Sequence, residues 1–307
     1  MVGEINADLI LSGNVIPAFG QIEQVVDYAD LTLGSSAIIF ACGAAKLGLR
    51  TAFIGKVGDD LFGRYMLESI EARGIGVSGI IIDHRVGTGL SVILANEGDR
   101  AILTYPGSIP ELQHKEIDFS LLSQCRHIHL SSYFLLEKLQ PEVASLFKRA
   151  KENGLSVSLD TNYDPAELWN GNLKKCLPYV DVFLPNDREA MQISGENDVE
   201  KALQRLSEEI STVVIKRGEH GAIAIRDQDT IVKQSAVTVE VVDTVGAGDS
   251  FDAGFMYGYL QDWTLEKTLE FAVACGSIST LQTGGTTGQP TLKEAQVFIS
   301  RNLIDNN

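Results

Sequence analysis

Short β-branched runs recur along the chain, separated by longer segments whose apolar residues fall at helical spacing. The strand-like runs are TAFIGKV from Thr51, HIHLS from His127, LSVSLD from Leu155, VDVFLP from Val180 and TVVIK from Thr212. Between them lie LFGRYMLESIEARG from Leu61, PEVASLFKRAKENG from Pro141 and NDVEKALQRLSEEI from Asn197. Two of these end in glycine, a helix C-cap signal. Repeated strand–helix–strand units predict an α/β fold with a mostly parallel central sheet covered by helices on both faces. Residues 9–34 and 87–107 break the alternation and read as strands and turns, with EGDR (from Glu97) as a hairpin signal. Both stretches leave the α/β pattern near strand ends, where such folds place their sites. They are therefore expected to pair into a small sheet lying over that end as a lid, rather than to decorate the edges of the main sheet. No repeat or linker divides the chain, so residues 1–307 read as one domain with the lid inserted.

Composition narrows the possible roles. The chain has 307 residues, 44% of them apolar, enough to bury a substantial core. A formal charge of -16 argues against a nucleic-acid partner. Cys42, Cys125, Cys176 and Cys275 are scattered without a CxxC pair, giving no disulfide framework or zinc motif. The start MVGEINADLI lacks the basic region of a signal peptide, and the longest apolar run, from Ala37, is too short to span a bilayer. A soluble cytoplasmic protein is the expectation.

The most informative stretch is VDTVGAGDSFDAGF, residues 242–255. VTVEVVD before it reads as a strand, and Phe251, Phe255 and Tyr259 after it recur at helical spacing. Gly246 and Gly248 would thus bare backbone N–H groups at a helix N-terminus, a place suited to a phosphoryl group. Asp249 would sit beside it, either as a simple helix cap or as a base accepting a hydroxyl proton. GIGVSG (residues 74–79) matches a dinucleotide fingerprint only in letters: a helix precedes it and a strand follows, the reverse of the order that fingerprint needs. The GxxxxGK[ST] phosphate loop is absent. His127 and His129 share one face of a strand but have no third ligand nearby, so a structural role is expected. Trp169 and Trp263 read as packing residues.

These features together resemble the ribokinase, or PfkB-type, carbohydrate kinases. GEINADLIL from Gly3 is similar to the family's first strand, and GSSAIIFACGAAKLGLRTAFIGKVGDDLFG from Gly34 to its N-terminal signature. NDRE (residues 186–189) is similar to its NxxE magnesium motif, VVIKRGEHGA from Val213 to a nucleotide-binding turn, and VDTVGAGDSFDAGF to its C-terminal signature. The resemblance implies a ribokinase-like three-layer α/β/α sandwich with a small β-sheet lid. It implies Asp249 as catalytic base and Gly246, Ala247 and Gly248 as the anion hole for the γ-phosphate of ATP. Asn186 and Glu189 would organise Mg²⁺ through water. Lys216, Gly218 and Gly221 would border ATP, with GSISTLQTGGTTG from Gly276 along its adenine side. Asp243, with backbone around Gly285, would form a monovalent-cation loop and so a K⁺ effect. Asn6, Asp8, Gly34 and Ser35 would bind the sugar, and a homodimer would form through the lid.

Three positions depart from the family pattern. Ser35 stands where a second glycine is usual, and Ile39 where an asparagine is usual. Asp164, in DTNYDP, stands where an arginine often sits. Loss of that cation argues against an acidic sugar. The reading is therefore an ATP-dependent kinase acting on a primary hydroxyl of a neutral sugar, with ribose, fructose and a nucleoside's sugar all open. The alternatives are a nucleoside or vitamin-like alcohol kinase of the same fold, or a catalytically silent sugar or nucleotide sensor.

Overall fold

Val213 and Ile215 face one core while Val214 between them faces another, and Ile223 and Ile225 are divided in the same way from Ala222 and Ala224. Both faces of these strands are buried, which is why they read in the sequence as unbroken apolar runs. The structure, a computed structural model, describes residues 1–96, 99–169 and 172–305. Its strands are β1 (Asn6–Ser12), β2 (Tyr28–Leu33), β3 (Ala52–Gly58), β4 (Gly76–Asp83), β5 (Gly89–Asn96), β6 (Asp99–Tyr105), β7 (His127–Ser131), β8 (Ser156–Asp160), β9 (Val182–Phe183), β10 (Thr212–Lys216), β11 (Ala222–Arg226) and β12 (Val232–Gln234).

The main sheet runs β12-β11-β10-β9-β8-β7, parallel from β10 to β7 and antiparallel at β11 and β12. Parallel β3 and β4 continue it, because Val2 bridges Leu130 on one side and Ile54 on the other. One face packs against helices Val143–Glu152, Asp187–Ser194 and Val199–Ser207. The other packs against Ala247–Leu260 and Leu265–Ser279. Sequence and structure therefore agree on three layers around a mostly parallel sheet.

A second sheet, ordered β2-β1-β5-β6, is built from chain that leaves the main domain twice. β1 continues directly from the Val2 bridge, so one run of backbone serves both sheets. β5 and β6 pair antiparallel up to Asn96 and Asp99; the turn residues 97 and 98 of the EGDR hairpin signal lie outside the described residues.

Two local expectations need correction. Residues 237–243 (VTVEVVD) form no strand. Their alternating valines have no neighbouring strand to pair with; Val242 and Asp243 instead donate backbone N–H groups to the Thr280 carbonyl, at 2.8 and 3.2 Å. VDVFLP contributes only Val182 and Phe183 to the sheet, and Pro185, which has no N–H to give, follows soon after. In GIGVSG, Gly74 (φ +75°) closes the Leu61–Glu71 helix and β4 begins at Gly76, as the order of elements required.

Candidate active site

The GAGD turn begins the Ala247–Leu260 helix, with Gly246 as its N-cap at φ 71°. A Cβ at Gly246 would lie 2.8 Å from both the Gly285 Cα and the Ile39 side chain, so only glycine lets the two loops meet. Asp243 stitches them together: one carboxylate oxygen accepts the Val245 N–H at 3.0 Å, the other the Gly284 N–H at 2.9 Å. Gly285 in turn packs on Ile39, whose Cδ1 would be 2.4 Å from any Cβ there. The Ile39 departure thus has a role, as an apolar brace behind both glycine loops. Ala247 N–H bonds to Thr244 O and Ser250 N–H to Gly246 O, whereas the N–H groups of Gly248 and Asp249 have no acceptor among the described residues. Two free donors at a helix N-terminus suit an anion.

Asp249 is 7% exposed. Burial, reinforced by the nearby Asp160 and Glu4 carboxylates, pushes its carboxyl up to about 8, against the pull of Lys216 and a Ser36 hydrogen bond. Around it stand buried acids that sequence reasoning had left without roles. Asp160 and Asp252 each bind the Lys216 ammonium at 2.8 Å. Burial alone would depress Lys216, but these two carboxylates, with Glu189, hold it above its usual value. Burial also raises Asp252, whose Oδ1 has no partner, and Glu4, whose Oε2 has none. The pointer to Asp252 was its position three residues after Asp249, on the same side of the helix.

Asn186 and Glu189 form a reciprocal capping box at the start of the Asp187–Ser194 helix. Asn186 Oδ1 accepts the Glu189 N–H, and Glu189 accepts from the Asn186 N–H and Nδ2 at 3.0 and 2.7 Å. Burial and Asp160 push Glu189 up to about 7. The motif therefore works as a cap, and it also adds a buried carboxylate to the acidic cluster. Lys216 joins it through backbone, its N–H bonding to Pro185 O at 3.0 Å. Gly218 and Gly221, at φ +54° and +80°, turn the chain from β10 into β11.

Above the glycine loops, a cleft of about 970 Å³ separates residues 241–245 and 283–285 from the facing side of the second sheet, where Asp8, Ile10, Ile93 and Arg100 line it. Asp249 is buried and is not among the residues lining this cleft. Asp8 accepts from Asn6 Nδ2 at 2.8 Å and is pushed up to about 6, mainly by burial. Gly34 lies under both: a Cβ there would stand 2.2 Å from Asp8 Oδ1 and 2.5 Å from Asn6 Nδ2. Ser35 has φ 75°, which explains the family's second glycine. Its hydroxyl donates to Glu4 and accepts the Ile38 N–H, so its one proton is already committed. Asp164 accepts backbone N–H groups from Ala166, Leu168 and Trp169, which makes it a loop-forming residue.

The histidines are structural. His127 bonds to Ser156 and Ser158, and His129 bonds to Ser158 and stacks on Phe40 at 3.9 Å. Trp169 and Trp263 sit in aromatic clusters. Among the described residues no group of side chains forms a ready metal cluster, and no helix is long and apolar enough to cross a membrane.

Residues 1–292 match the model of the pfkB family carbohydrate kinases. The chain belongs to that family. An uncharacterized sugar kinase of Archaeoglobus fulgidus is 37% identical over 227 residues, 73% of this chain and 89% of its own. The 5-dehydro-2-deoxygluconokinase of Geobacillus thermodenitrificans is 29% identical, across 90% of this chain and 86% of its own. A crystal structure of a putative ribokinase II from E. coli in complex with ATP and Mg²⁺ superposes with a TM-score of 0.86 at 24% identity, covering 98% of both chains. The protein is thus a carbohydrate kinase with the ribokinase fold.

Proposed function

We propose that the protein transfers the γ-phosphate of ATP to a primary hydroxyl of a neutral sugar, with Asp249 as general base. The observation carrying this reading is a buried carboxylate, pushed up to about 8, one residue beyond Gly248 at a helix start with two unsatisfied N–H groups. In the step, the sugar oxygen bonds to the γ-phosphorus, the bond to the β–γ bridging oxygen breaks and ADP leaves. The hydroxyl proton passes to Asp249. Gly246, Ala247 and Gly248 would form the anion hole, its free donors being the N–H groups of Gly248 and Asp249 since that of Ala247 is bonded to Thr244. Asn6 and Asp8 would hold sugar hydroxyls over Gly34, the second sheet closing as a lid that keeps water from the phosphoryl group.

The 216–221 turn would border ATP. A Mg²⁺ ion fits at the Asn186–Glu189 end of the acidic cluster, where Glu189 is a buried carboxylate pushed up to about 7 by burial and the neighbouring Asp160, a hard oxygen donor of the kind the ion takes. Both Glu189 oxygens already accept from Asn186, so Asn186 and Glu189 would hold the ion through its waters. Bound with ATP, the ion would neutralise charge on the phosphates. Asp243 and the backbone near Gly285 would form the K⁺ loop. The outer face of the lid sheet would form a homodimer.

A screen of ATP consumption across neutral hexoses, pentoses, acid sugars and nucleosides tests the proposal. Turnover of a hexose or pentose is expected. Turnover confined to acid sugars overturns the neutral acceptor, turnover confined to nucleosides favours the second kinase reading, and none at all favours a sensor.

A further inference from the structure

We infer that Asp252, backed by Asp160, is a positioning residue that holds the Lys216 ammonium away from Asp249, so that the base remains free to take a proton. The inference rests on Asp249 being the base. Asp249 and Asp252 are three residues apart on one helix and share a flank of it. Lys216, from the end of β10, reaches the first turn of this helix: its Nζ would lie 3.8 Å from a Cβ on Gly248, the residue before Asp249. The ammonium is near enough to Asp249 for its charge to act on that carboxyl, yet among the described residues its ion pairs are with Asp252 and Asp160, at 2.8 Å each, and none is with Asp249.

Stability does not account for this arrangement. A buried ion pair is often no better than an apolar pair of similar volume, and here two acids meet one cation with Asp252 Oδ1 left without a partner. A single acid would balance the ammonium; the second makes its position unambiguous. Were Lys216 to swing to Asp249, the pair would occupy the carboxylate oxygen that has to receive the proton and weaken it as a base. Asp252 draws the cation to the second turn of the helix, and Asp160 fixes it from the strand side.

The test is kinetic. Asp252→Asn should lower kcat at least about tenfold while KM for ATP and sugar stay within about threefold, because the lost group touches neither. Adding Lys216→Met to that variant removes the intruding cation and should raise kcat at least about threefold over the single variant, read at saturating ATP because Lys216 also borders the nucleotide and its loss there would show in KM for ATP. Asp160→Asn, read in the same way, serves if Asp252→Asn does not fold. Unchanged kcat in a folded Asp252→Asn protein overturns the inference, and so does a further fall on adding Lys216→Met. Asp249→Asn measured alongside separates the two claims. Activity surviving there removes the base itself, whereas activity lost there but kept in Asp252→Asn removes only the positioning role.

Discussion

A carboxylate held near 8 inside a protein destabilises the fold that holds it. Asp249 titrates at about 8 when folded, against about 3.9 in an unfolded chain. Between those values the folded state keeps a proton that the unfolded state releases, so unfolding free energy falls as pH rises through that window. Glu189, pushed up to about 7, acts in the same direction but is common to parent and variant. Asp249→Asn in the ligand-free protein should therefore leave Tm nearly unchanged at about pH 4 and raise it by roughly 2 °C or more at pH 8. It should also lower kcat at least ~10²–10⁴-fold. Thermal unfolding across pH checks the first part, and a Tm difference independent of pH would mean that the carboxylate is not raised by burial. Stability exchanged for activity at one residue is the common pattern of catalytic groups.

Secondary-structure elements meet the chemistry at their ends. Gly246 joins the loop before the Ala247–Leu260 helix to the loop around Gly285, with φ 71° and no room for a Cβ against the Gly285 backbone. Gly246→Ala should cost about 1–2 kcal/mol for the left-handed backbone, and more for the clash. We expect a lower Tm and a kcat reduced at least about tenfold as the anion-hole donors move. Gly195→Ala is the control, since Gly195 has φ 79° but nothing within 4 Å of its added Cβ. It should lose stability and keep activity. Equal kinetic losses in both would show that the loop contact is not what matters. The GAGD turn, the NDRE start of a helix and the β10 strand were all legible in the sequence, because local patterns specify local structure. VTVEVVD was misread because period-two alternation carries no information on whether a partner strand exists. Lys216 between Asp160 and Asp252 was out of reach for a similar reason: a bond across 56 residues is set by the sheet's strand order, not by spacing. The hydrogen bond from the Ser35 hydroxyl to Glu4 was equally out of reach, because it spans 31 residues and depends on how the chain entering β1 meets the helix that follows β2.

At the scale of the whole molecule, the lid sheet has two unlike faces. Register aligns Asp8 with Thr32 and Ser91 on the cleft side. One position on, it aligns Leu9 with Leu31 and Val92, and Val92 with Leu103, on the opposite side. Leu11 and Leu94 extend this apolar row, and Leu103 is 64% exposed. Beside it the loop between β1 and β2 exposes Ile16, Ile22, Val25 and a nearly bare Phe19. A contiguous apolar face on a thin sheet with β6 as an uncovered edge is unfavourable in water and prone to indiscriminate pairing, and a second copy of the same face would cover it isologously. The expectation is a homodimer through this face, with lid closure over the sugar coupled to the partner's lid. Val92 is the central position because it has an apolar neighbour on both sides in the register. Val92→Lys would place two ammonium groups near the two-fold axis and should convert the dimer to monomer in sedimentation velocity. A monomeric parent protein refutes the dimer, and a dimer that survives Val92→Lys moves its interface away from the lid.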